Sequence, residues 1–263
     1  MEFKKSWTGN WENAFHGLRH PMESYAKSDS AFGIAESDEW LKEVANEVIY
    51  SYNEDPEDIF EEREKIYDKG ILQWGKYTAE YAFIGKNDMD LAQRMIKAGS
   101  PNDKFLRQIF VSVDITAPVY WWRDMDQYKV GTVTNSTSTM HKLASTPITL
   151  DRFEMDDIND SLKVDSDEDW YEIKDFYTDI IQSLESLRLK YLETKDKRYW
   201  KELVRWLPNG WLQTRTWSAD YAVLRNIIRW RSDHKLSEWR QFVDWSRTLP
   251  YAEELLFYNN SIN

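Results

Sequence analysis

Cysteine is absent from this 263-residue chain, and glycine and proline are scarce, at 9 and 7 residues. Without thiols there is no disulfide, no iron–sulfur cluster, no thiolate zinc site and no cysteine nucleophile. Histidine is almost as rare: His16, His20, His141 and His234 are the full set. Only His16 and His20 are four apart, and the missing Glu together with Pro21 excludes a HExxH helix. No GxGxxG, GxSxG or phosphate-loop motif occurs. No run approaches the roughly 18 apolar residues of a membrane span, and the opening MEFKKSWTGNWENAF has no signal-peptide core. The expectation is a cytoplasmic protein with no membrane partner.

What is present is acidic and aromatic. Asp and Glu outnumber Lys and Arg by 46 to 34, for a net charge of −12, a field that works against unspecific grip on nucleic acid or anionic lipid. Apolar residues make up 41% of the chain and aromatics 15%, enough for a packed core and too much for a disordered chain. No linker-like stretch or internal repeat divides the sequence, so one domain over residues 1–263 is expected.

Periodicity supplies the elements. Residues 37–49 open on cap-forming Ser and Asp and set Trp40, Leu41, Val44 and Val48 on one side, a helix. Residues 57–74 read as a second, heavily charged helix and 88–98 as a third, ending at Gly99. From Gln108 the pattern changes: Ile109, Val111, Val113 and Ile115 alternate with Phe110, Ser112, Asp114 and Thr116, as in a strand. Pro118 ends that strand and opens a helix over 119–128, and residues 131–139 form a hydroxyl-rich loop. Phe176, Ile180, Ile181, Leu184, Leu187 and Tyr191 mark a long amphipathic helix, followed by helices at 221–230 and 236–245, with Pro250 beyond. Strands are the minority, so the class is α+β.

Two charged regions stand out. The acidic run 151–169 reads as a solvated loop leading into a helix, or else as a divalent-metal site, although its carboxylates do not follow EF-hand spacing. Residues 195–247 hold 12 Lys or Arg against 6 Asp or Glu. Such a cationic stretch in an acidic protein either holds an anion, Arg being well shaped for phosphate, or pairs with the acidic loop. Trp206, Trp211, Trp217, Tyr221, Trp230, Trp239 and Trp245 interleave with these cations, as core or as a stacking wall for a flat ligand.

Two blocks carry a resemblance. Ile109-Phe-Val-Ser-Val-Asp-Ile-Thr-Ala-Pro-Val-Tyr-Trp-Trp-Arg123 resembles the strand–Ala-Pro–helix segment of the flavin-dependent thymidylate synthases, the ThyX family. Leu207-Pro208, Trp217-Ser-Ala-Asp-Tyr-Ala-Val-Leu-Arg-Asn226 and Trp230-Arg231 are similar to that family's Leu-Pro, Asn-x-Arg and Leu-Arg helices, in the same order. The resemblance implies one domain of helices around a small, mostly antiparallel sheet, in a homotetramer binding FAD and the nucleotide dUMP at subunit interfaces. Methylene-tetrahydrofolate supplies the carbon, NADPH reduces the flavin, and dTMP is the product. No cysteine nucleophile is needed, which agrees with the composition.

Carried over by position, Gln127, Tyr128, Lys129, Thr132 and Asn226 would hold the flavin cofactor. Arg123, Asn135, Thr137, Ser138 and Arg231 would hold the nucleotide, with Arg231 and Lys129 on phosphate and Arg123 supporting the site from its helix. No catalytic residue and no metal follow. The departures are specific. The family's Arg-His-Arg falls on Gln127-Tyr128-Lys129, its Asn-x-Arg pair on Asp220 and Ala222, and an Arg of its nucleotide segment on Thr139. Each charge-assisted bond so lost costs about 1.5–3 kcal/mol, for which Arg215, Arg225 or Arg229 would have to compensate. Two alternatives therefore stand beside the enzyme: a nucleotide- or flavin-binding relative without turnover, and a structural oligomer.

Overall fold

The structure, a computed structural model, describes residues 1–51, 56–138, 142–155, 163–165 and 170–260. In chain order the elements are β1 (Glu2–Gly9), α1 (Trp11–Arg19), β2 (Ala31–Ala35), α2 (Asp38–Tyr50), α3 (Pro56–Gly70), β3 (Ile71–Trp74) and β4 (Ala79–Phe83). Then come α4 (Lys86–Ala98), β5 (Phe110–Pro118), α5 (Val119–Met125), β6 (Val133–Ser136), β7 (Lys163–Asp165), β8 (Trp170–Glu172) and α6 (Ile173–Thr194). The chain finishes with α7 (Lys197–Trp206), β9 (Leu212–Asp220), α8 (Tyr221–Arg231), α9 (Ser237–Arg247) and a π-helical turn at Glu253–Phe257. The strands form sheets in the orders β1-β5-β9-β6, β2-β4-β3 and β7-β8, so the fold is α+β as expected.

Contacts gather these elements into two compact units: Met1–Glu2 with Ile115–Tyr128 and Thr134–Thr216, and Phe3–Asp114 with Lys129–Val133 and Trp217–Asn263. Strands β5 and β9 each give residues to both.

In the second unit the β2–β4 hairpin pairs Ala31 with Phe83 and Ala35 with Ala79 in antiparallel register. Helix α2 lies against it because Leu41, Val44, Ala45, Val48 and Ile49 recur at helical spacing and are all buried with Ala79, Tyr81 and Phe83. Each full burial of a large aliphatic stabilises the fold by about 1.5–3 kcal/mol. Ser37 caps this helix, its hydroxyl accepting from the Trp40 N–H at 3.2 Å. Trp40 itself is 43% exposed, against its expected place on the packed side. Charged helix α3 also departs from expectation, ending at Gly70 rather than Trp74. A Cβ at Gly70 would lie 2.5 Å from the Phe83 ring and 2.7 Å from the Ala82 carbonyl, so only glycine lets the chain pass there and turn into β3. Helix α4 ends at Gly99 as its sequence indicates. Strand β5 buries Val111, Val113, Ile115 and Ala117 in strict alternation. A second cluster, of aromatics, joins Phe3, Trp217, Trp239, Phe242 and Trp245.

The first unit packs α6 and α7 over Leu143, Ile148, Phe153, Ile181, Leu184, Leu203 and Trp211. Three sequence expectations change between Pro118 and Tyr221. Residues 131–139 are more than a loop: β6 lies inside them, because exposed hydroxyl residues serve well at a sheet edge. The helix from Pro118 stops at Met125 and turns, the Gln127 and Tyr128 amides donating back to the Asp124 and Met125 carbonyls. Trp217–Asp220, likened to a helix, is the end of β9, and the helix begins only at Tyr221. Of the acidic run, 156–162 and 166–169 lie outside the described residues, and 163–165 form β7. Among the described residues no three His, Cys, Asp or Glu side chains converge as metal ligands, and no helix is long and apolar enough to cross a membrane.

Candidate functional site

The nucleotide residues expected in the first unit cluster at one corner where α5, β6 and β9 meet. Thr137 follows β6 and is locked to β9 twice: its N–H donates to the Thr214 carbonyl at 2.9 Å, and its carbonyl accepts from Gln213 Nε2 at 2.9 Å. Gln213 is buried, and its Oε1 in turn accepts from Arg215 Nε at 3.0 Å. The Arg215 guanidinium sits 4.4 Å over the Trp122 ring and donates through Nη1 to Asp126 at 2.7 Å, leaving its other terminal nitrogen outside these bonds. Trp122, fully buried, is fixed by its own Nε1 donating to the Gln213 carbonyl at 2.9 Å. The result is a cation held rigidly by a ring, an amide and a carboxylate. Arg123, Gln127, Asn135 and Thr137 are exposed at this corner, while Tyr128 and Ser138 are half-buried. Thr139, the position of the lost family arginine, lies outside the described residues. By sequence alone Arg215 is one of three cations, with Arg225 and Arg229, that would compensate for the lost family arginines.

In the second unit Lys129 and Thr132 flank Gly131, whose φ of +76° favours glycine. A Cβ there would lie 2.9 Å from Val223 Cγ2 and 3.6 Å from Asp220 Oδ2, so this turn is pressed against the start of α8. Asp220 caps that helix, its Oδ1 accepting from the Val223 N–H at 2.8 Å. Burial pushes the Asp220 carboxyl above its ordinary range, against the lowering effect of the Val223 and Ala222 amides. Further along α8, Asn226 and Arg229 are exposed. The exposed Lys129 and Arg229 with Thr132 and Asn226 thus offer cations, a hydroxyl and an amide on one helix and the turn beside it.

Several other arginines of the cationic stretch have partners within the chain. Arg225 donates to the Leu255, Leu256 and Asn259 carbonyls at 3.1, 2.9 and 3.0 Å, and burial lowers its pKa. Arg231, expected on phosphate, lies 4.7 Å over the Trp239 ring. Arg247 pairs with Glu253, Arg205 with Glu202 and Arg198 with Asp196. The carboxylates are two to six positions from their arginines, whereas the carbonyls that hold Arg225 are 30 or more positions away. The expected stacking wall is likewise mostly core: Trp211, Trp217, Tyr221, Trp239 and Trp245 are buried, and Trp206 and Trp230 are exposed.

Three cavities lie elsewhere. One of about 340 Å³ in the second unit is bordered by Ser6, Thr8, Lys69 and Arg247. In the first unit, one of about 690 Å³ runs past Thr116, Asp151, Phe153 and Glu154. Another, of about 650 Å³, is an apolar groove of Phe176, Ile180, Leu184, Leu187 and Trp206 along α6 and α7. None of the three is lined by the residues expected to hold flavin or nucleotide.

No family model and no curated protein matches the sequence. The fold, in contrast, matches solved structures over their whole length. The flavin-dependent thymidylate synthase ThyX from Helicobacter pylori, complexed with FAD and dUMP, is 14% identical at a TM-score of 0.56, with all of both chains covered. A second structure of Helicobacter pylori ThyX with FAD and dUMP gives 14% identity and a TM-score of 0.57, again over all of both chains. At that identity the chain shares the ThyX-like fold that its two sequence blocks resemble.

Proposed function

We propose that this chain binds a pyrimidine nucleotide and a flavin and acts as a flavin-dependent thymidylate synthase, converting dUMP to dTMP. The observation that supports it most is the Arg215–Gln213–Thr137 corner. A preformed guanidinium stands next to the segment likened to the family's nucleotide loop, where the family's own arginine is lost. In this reading Arg215 takes the phosphate role given to Arg231, and Arg123, Asn135, Thr137 and Ser138 surround it. The donor set of Lys129, Thr132, Asn226 and Arg229 fits a pyrophosphate-bearing cofactor such as FAD, since cations and small donors meet its charge without a glycine-rich loop. When bound, the flavin supplies the electrons, taken from NADPH, while methylene-tetrahydrofolate supplies the carbon. The chain's part is to orient the nucleotide through fixed donors and to neutralise its phosphate.

Assembly as a homotetramer belongs to the same reading. It is supported by the apolar groove on α6 and α7 and by Trp206, which is 67% exposed. The second reading, binding without turnover, is favoured by Gln127-Tyr128-Lys129 in place of the Arg-His-Arg signature and by Arg225 being spent on carbonyls.

One set of measurements separates the two: the visible spectrum of the purified protein with FAD, and dTMP formation from dUMP with methylene-tetrahydrofolate and NADPH. Flavin uptake with dTMP supports the synthase. Flavin or dUMP uptake without product supports the binding relative, and neither leaves the structural oligomer.

A further inference from the structure

Two of the four histidines, left without a role by the sequence, meet at the end of α1. The last residue of that helix is Arg19, yet His20 keeps helical angles, φ −54° and ψ −46°, so His16 and His20 are stacked one turn apart. Both are exposed, and their ring centres are 4.8 Å apart with planes at 79°. Tyr25 backs the pair: its hydroxyl is 2.6 Å from His20 Nδ1, and its ring lies 4.8 Å from that of His16 at 21°.

We propose that His16 and His20 form a surface site for a borderline divalent metal ion of the Zn²⁺, Ni²⁺ or Cu²⁺ class. The spacing carries the argument. With a metal–nitrogen bond of about 2.1 Å, each ligating ring centre stands about 3.2 Å from the ion, so bond angles of about 90–109° put two ring centres about 4.5–5.2 Å apart. The observed 4.8 Å falls inside that window. The Tyr25 hydroxyl at Nδ1 of His20 fixes the ring and keeps Nε2 for the ion, the role that outer partners of metal-bound histidines play. Neutral nitrogen donors select ions of this class over Mg²⁺ or Ca²⁺, which prefer oxygen.

The platform is rigid before any ion arrives. Adjacent Arg19 is buried against Asp88 at 2.6 Å, and it also donates to the Lys27 carbonyl at 3.1 Å, which anchors the turn that carries Tyr25. Among the described residues no third His, Cys, Asp or Glu joins the pair, so water completes the coordination and the site stays open.

Calorimetric titration of the full chain with NiCl₂ in a non-chelating buffer tests this. One equivalent is expected to bind, with His16→Ala and His20→Ala each weakening it at least tenfold, Tyr25→Phe weakening it by about tenfold, and His234→Asn leaving it unchanged. With Cu²⁺, electron paramagnetic resonance should show coupling to two ring nitrogens, lost in the double variant His16→Ala/His20→Ala. Undiminished binding in that double variant, or no binding by the parent chain up to millimolar metal, would overturn the proposal. Because the variants sit at exposed positions, circular dichroism serves to verify that each is folded.

Discussion

Arg215 and Asp126 form a 2.7 Å ion pair in which only the carboxylate is open to solvent: the arginine side chain is 14% exposed and the aspartate 46%. The guanidinium is therefore held from the inside by its buried neighbours, Trp122 and Gln213, with Asp126 as its solvent-facing partner. Replacing Arg215 with Ala is expected to weaken dUMP binding by about 10- to 100-fold, the loss of one or two charge-assisted bonds. Arg215→Lys should recover only part of it, since a point charge lacks the planar fork. Calorimetry with dUMP measures both. Equal affinity in all three proteins would remove Arg215 from the nucleotide site.

Gly131 is the pivot of the turn bearing Lys129 and Thr132. An alanine there meets Val223 Cγ2 at 2.9 Å at a φ of +76°, a strain of about 1 kcal/mol or more. The expected result for Gly131→Ala is a small drop in melting temperature and a much larger loss of FAD uptake, followed by absorbance. A variant that keeps full FAD affinity would mean that this turn does not touch the cofactor.

The buried Arg19–Asp88 pair is a prediction about stability. Asp88 is fully buried and accepts from Arg19, Ser28 and Ser30, each at 2.6 Å. Asp88→Asn or Arg19→Met leaves an uncompensated buried partner, with an expected cost of about 3–5 kcal/mol. For a chain of this size that corresponds to about 6–15 °C in thermal unfolding. The double variant should recover part of it, because both charges then go.

Acid sensitivity has an identifiable source in the first unit. Glu185 is held below its ordinary pKa, chiefly by its hydrogen bonds from Arg188 and also by the Ile148 N–H. A carboxyl with a depressed folded-state pKa stabilises the fold above its unfolded value, and that contribution disappears as pH falls through the folded value. The stability gap between the parent and Glu185→Gln should therefore be constant above about pH 5 and close as the pH drops below the ordinary carboxylate range. Thermal melts between pH 7 and 3 check the sign. A gap that widened on acidification would contradict it.

Trp206 tests assembly. Its ring borders the apolar groove while its Nε1 donates to Glu202 at 3.2 Å. Trp206→Glu sets a charge in that groove and is expected to lower the mass measured by light scattering without changing the far-ultraviolet spectrum. An unchanged mass would put any subunit contact elsewhere.

The sequence alone determined the elements whose periodicity is local. Helix α2 with its Ser37 cap, α4 with its Gly99 stop, the alternating β5 and the break at Pro118 each depend on residues a few positions apart, where backbone sterics and amphipathic spacing operate. Composition likewise excluded thiol chemistry without any coordinates. What tertiary structure decided is where polar side chains spend their hydrogen bonds. Arg215, Arg225 and Arg229 are alike in sequence. Yet one is clamped over Trp122, one is consumed by the carbonyls of residues 255–259, and one stays exposed. Those partners lie 30 to 93 positions away. The same holds for His16 and His20, whose pairing with Tyr25 depends on a turn held by a buried ion pair. Charge count and spacing carry no record of such distant carbonyls and rings, because desolvation and hydrogen bonding are set by whatever the folded chain brings alongside.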